Sequence, residues 1–138
     1  MHPTALAARE APRVMRSRQA VRIRVLVMPE TSKRIKRLVR EYATIAHDRE
    51  LGQALRGLDA QFERWRSGAI GSAELNDLIH QFHDGLSRDV WRKYATNRLE
   101  PALGFAVATG ILRKEDLPAE LLEHLAGLID FYEAEQSL

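Results

Sequence analysis

Cysteine is missing from all 138 residues. Its absence excludes disulfides, thiol nucleophiles and cysteine-held metals, and it fits a reducing compartment, so a cytoplasmic protein is expected. No apolar run approaches the roughly 20 residues of a membrane span, and no membrane partner is expected. Glycine is sparse, eight in all. None forms a phosphate-cradling loop or a Gly-x-Ser-x-Gly elbow, so nucleotide-loop and serine-hydrolase chemistry find no footing. Carboxylate pairs that stand out from the acidic background are also lacking. The chain is expected to be non-catalytic and to need no cofactor.

Strand patterns are almost as scarce. Val21 to Val27, VRIRVLV, is the one convincing case, with Val21, Ile23, Val25 and Val27 alternating with Arg22, Arg24 and Leu26 before Pro29. That is the period of two, rich in β-branched residues, that a strand shows. A lone strand must pair with something, for example its counterpart in a second chain.

What the chain has is charge of unequal sign. Residues 1–40 hold eleven Lys and Arg against Glu10 and Glu30, a net +9, so the rest carries −7 of the total +2. A basic arm on an acidic body can engage nucleic acid, an acidic partner or the body of a sister subunit. The first 20 residues, with Pro3, Pro12 and scattered Arg, read as mostly disordered. Met28 stands just before the helical region, which raises an early start codon as an alternative.

From residue 31 onward the periodicity is helical. Ile35, Leu38, Val39, Tyr42, Ile45 and Ala46 share one face, with Lys33, Arg34, Lys36, Arg37 and Arg40 around the other. Near His47 the phase slips to Leu51, Leu55, Leu58, Phe62 and Trp65, so Asp48 is expected to cap a second helix that ends at Gly68. Pro101 opens a near-continuously apolar helix, PALGFAVATG, closed by Gly110. Pro118 precedes a last helix with a stripe of Leu121, Leu122, Leu125, Leu128, Ile129 and Tyr132. The aromatics Phe62, Trp65, Phe82, Trp91, Phe105 and Phe131 fall on or near such stripes and read as core.

The best-marked stretch is Gly71 to Trp91. Leu75, Leu78, Ile79, Phe82 and Leu86 form its stripe, Gly71 or Ser72 caps it, and Glu74 sits in its first turn. Val90, Trp91 and Tyr94 extend the apolar face. Gly85 either ends the helix or kinks it. Asp77, His80 and Asp84 lie opposite the stripe at i,i+3 and i,i+4 spacing, a candidate metal trio, with His83 on the border.

The run VRIRVLVMPETSKRIKRLV followed by HDRELGQALRGL resembles the ribbon-helix-helix DNA-binding family. The resemblance covers about residues 20–60 and implies an intertwined dimer whose paired strands enter the major groove. It implies that Arg22, Arg24 and, as a further candidate, Leu26 face DNA, that two helices meet at a turn near His47, and that the second helix starts near phosphate at Asp48 to Glu50. Ser32 and the acidic Asp48 and Glu50 depart from the pattern. Lys33, Arg34, Lys36 and Arg37 add cations able to neutralise phosphates. Separately, Arg40 and His47 with six residues between them loosely resemble the ribonuclease motif of HEPN helical domains, which implies RNA cleavage at a dimer interface.

The expectation is an all-α chain: a basic, mostly disordered arm over residues 1–30, able to hold one short strand, then a single-domain bundle of five or six helices over 31–138. Its expected role is contact with a protein partner or with itself as a homodimer. The alternative is a DNA-binding regulator of the ribbon-helix-helix kind, acting through the basic arm.

Overall fold

Residues 32–138 are described in the structure, a computed structural model, and they form four helices with no strand among them. The strand candidate at residues 21–27, with Arg22 and Arg24, lies outside the described residues. The chain divides into Met1–Arg34 and Ile35–Leu138, and the core described below belongs to the second unit.

Helix α1 runs unbroken over Lys33–Arg66. The phase slip at His47 is therefore not a helix boundary, and Asp48 caps nothing. Neither glycine nor proline interrupts residues 44–51, so the backbone has no reason to stop there. The slip marks a change of packing partner instead. Upstream of it, Leu38, Val39, Ala43 and Ala46 enter the main core; downstream, Ala54 is buried outside that cluster.

Gly68 ends α1 as its position predicts. Its φ of +81° is the left-handed conformation that a helix C-terminus favours for glycine. Ala69 N donates to Arg64 O (2.8 Å) and Gly68 N to Trp65 O (3.1 Å), closing a Schellman turn.

Helix α2 spans residues 72–94 in three continuous segments: α-helical Ser72–Phe82, a π-helical turn at His83–Ser87, and α-helical Arg88–Tyr94. The π turn inserts one residue into the register. Leu75 and Phe82 are seven apart, and the next inward residue is Val90, eight further on, buried like Leu75. Leu86, which the stripe places inside, is turned out to 52 % exposure. Five or six helices thus become four, because two sequence irregularities are absorbed within helices that continue through them.

Helices α3 (Glu100–Ala108) and α4 (Ala119–Gln136) pack against each other. Pro101 lies in the first turn of α3, and Gly110, at φ +83°, lets Leu112 N return to Ala106 O (3.1 Å). Gly104 makes the close approach between the two helices, since a Cβ there would stand 2.7 Å from that of Leu128. Leu103, Leu112, Leu121 and Leu125 are the large side chains wholly out of solvent. They share one cluster with the first half of α1, and Ile111 and Leu117 of the connecting segment complete it.

Candidate functional site

The second half of α1 is fastened to α2 near both ends. At the turn between them the Trp65 indole donates to Ser72 Oγ at 3.0 Å. At the far end Glu50 accepts from Lys93 Nζ at 2.6 Å and from Tyr94 Oη at 3.0 Å. The two segments therefore run antiparallel. Glu50 is only 12 % exposed at its side chain, so its charge requires these two donors. Lys93 also lies 4.2 Å above the Phe105 ring, which in turn meets Tyr132 edge-on, linking α2 to α3 and α4.

This clamp positions Tyr94, whose ring stacks on His47 with centroids 4.9 Å apart. The Tyr94 phenol has its pKa raised well above the ordinary tyrosine value, first by burial, then by the Glu50 charge and the hydrogen bond to it. His47 and Tyr94 line a concavity of about 230 Å³ with Arg40, Ala43, Thr44 and Leu99. Small Ala43 and Thr44 leave the dip between Arg40 and His47, two turns apart on one helix face. A guanidinium and an imidazole at such a dip suit an anion, so the Arg40–His47 spacing does bring the two residues to one surface.

The other candidate residues are dispersed. Lys33, Arg34, Lys36 and Arg37 are all exposed at the start of α1, whose first turn contains no acidic residue of its own. The helix dipole adds its own positive end there. Asp77, His80 and Asp84 are exposed along α2, and among the described residues no group of three or more His, Asp or Glu is placed to hold a metal ion. The turn that the ribbon-helix-helix resemblance implies near His47 is replaced by continuous helix.

A surface that Trp91's place beside Val90 and Tyr94 assigns to the core stands out on α2. Trp91 is 61 % exposed and lines a concave face with His83, Ser87, Arg88 and Arg92. Val90 and Tyr94 take the inward positions beside it, so the indole has no place in the core. The nearest acid to Arg88 is Asp84 at 4.0 Å, and both side chains are more than half exposed. Phe131 on α4 is likewise turned out, at 56 %. The signal that could have found the Trp91 face is its angle: counted at about 100° per residue from Leu75, Trp91 stands about 160° from the centre of the stripe.

Comparison of the chain with known protein families, curated proteins and solved structures gives no match. Among the described residues no helix is long and apolar enough to cross a membrane.

Proposed function

We propose that this chain is a non-catalytic helical protein that acts through protein contacts, with the Trp91 face of α2 as its contact surface. The observation that carries the reading is the 61 % exposure of Trp91 beside Arg88 and Arg92. Tryptophan and arginine are the residue types that most often dominate interface energetics. An indole held in water by a well-ordered helix forgoes burial that a partner can restore. A reducing, cytoplasmic setting accords with the lack of cysteine.

The test is capture from an extract of the native host by immobilised full-length protein, beside the Trp91→Ala variant. A partner retained by the wild type and lost by the variant is the expected result. Equal recovery by both contradicts the assignment of the surface.

A second reading, duplex DNA binding by a regulator, draws on the exposed Lys33, Arg34, Lys36 and Arg37. With α1 continuous, it rests on these charges and those of the arm rather than on a ribbon-helix-helix unit. It predicts a steeply salt-dependent duplex affinity by fluorescence anisotropy, reduced in Arg22→Ala and Arg24→Ala. Equal binding by a chain beginning at Met28 contradicts it.

A further inference from the structure

Two exposed aromatics stand on surfaces of opposite charge. Trp91 shares its face with Arg88, Arg92 and His83. On α4, Glu123, Gly127, Phe131 and Glu135 follow one another at intervals of four, which sets them in one row along the helix, and all four are exposed. Residues 119–136 contain five acids, no Lys and no Arg. Beside Phe131, Gly127 leaves open space, with nothing of the chain within 4 Å of where a Cβ would stand. The row thus presents a phenyl ring, a shallow gap one turn away and a carboxylate at either end.

We infer that the occupant of the Trp91 face is a second copy of this chain, docked through the acidic Phe131 row of its α4. The inference rests on the protein-contact reading above and supplies the partner. The indole seats over Gly127 against Phe131, while Arg92 approaches Glu123 and Arg88 approaches Glu135. Rows of residues four apart on both helices are the ridges that interlock in the commonest helix packing. Two copies related by a two-fold axis make the contact twice, which closes the assembly. A single-stranded nucleic acid fits the Trp91 face less well. Such ligands track several aromatics along a positive groove, whereas Trp91 is the one indole or phenyl ring lining this face.

Sedimentation velocity of the full-length protein over a range of concentrations tests this. Wild type is expected to move from monomer to dimer, and Trp91→Ala and Phe131→Ala each to weaken dimerisation by about thirtyfold, the effect of truncating an interface hot spot. Gly127→Gln fills the gap and is expected to abolish the dimer while leaving thermal stability intact, a control against simple unfolding. Arg92→Glu and Glu123→Lys are each expected to be monomeric, and an equimolar mixture of the two to dimerise, because both contacts in the mixed pair then join opposite charges. A wild type that stays monomeric overturns the inference, as does a dimer insensitive to Phe131→Ala or a mixture that fails to associate. If the wild type is monomeric yet Trp91→Ala still loses a captured host protein, the contact surface stands and only its occupant is wrong. If capture is also unaffected, both readings fall.

Discussion

Lys93 and Tyr94 converge on the two oxygens of one carboxylate, Glu50, at 2.6 and 3.0 Å, and so fix the end of α2 to the middle of α1. Removing Glu50 leaves a half-buried ammonium and a phenol without their acceptor. Glu50→Ala is expected to lose about 1–3 kcal/mol of stability, read from urea unfolding. A loss within error of zero would show that water replaces the carboxylate at no cost.

The same clamp gives a pH signature. Tyr94→Phe removes one hydrogen bond, about 1 kcal/mol at neutral pH. The folded state holds the Tyr94 proton above the ordinary tyrosine pKa of about 10. As the pH rises past that ordinary value, the tyrosine ionises in the unfolded chain but not in the folded one, and the wild type loses stability that the phenylalanine variant does not. The gap between the two urea midpoints is expected to narrow with rising pH above that point. A constant gap contradicts the assignment.

Gly104 sits where α3 and α4 touch, with the Leu128 Cβ 2.7 Å from the position a new Cβ would take. Alanine favours a helix over glycine by about 1 kcal/mol. Here the neighbour is the root of a side chain rather than its flexible end, so the helices must separate. Gly104→Ala is expected to destabilise by about 1–3 kcal/mol in spite of its propensity gain. Stabilisation would mean that the two helices pack more loosely than described.

The π turn makes a less usual prediction. Deleting Gly85 removes the inserted residue and leaves Leu75, Phe82 and the former Val90 in even steps of seven. The shortened protein is expected to fold, with a urea midpoint at or above that of the wild type. Unfolding on deletion would show that the π turn holds the structure together rather than merely correcting its register.

Much of this architecture is legible in the residues. Gly68 and Gly110 punctuate where they should, Pro101 opens α3, and the first stripe of α1 and those of α3 and α4 enter the core, while Leu55 and Trp65 of the second α1 stripe stay exposed. The fate of His47 and Asp48 is not legible, because a phase slip reads alike whether a helix stops or changes partners, and only tertiary packing decides. The outward turn of Leu86 is hidden for a related reason. Periodicity counted at about 100° per residue carries Leu86 inward, and the π turn rotates it away while it brings Val90 and Tyr94 to the inner face; Trp91 falls about 160° from Leu75 on the unbroken count, already on the far side. The Glu50–Lys93–Tyr94 clamp joins residues more than forty apart, and local spacing carries no trace of such a pairing.

The most direct test of the central claim is tryptophan emission from a Trp65→Phe variant, in which Trp91 is the single tryptophan. At high dilution the spectrum is expected to be that of a water-exposed indole, readily quenched by acrylamide. As the protein is concentrated, it is expected to shift to the blue and resist quenching as Trp91 enters the contact. Emission that is already blue and protected in the dilute, monomeric protein would place Trp91 inside its own fold and contradict the account.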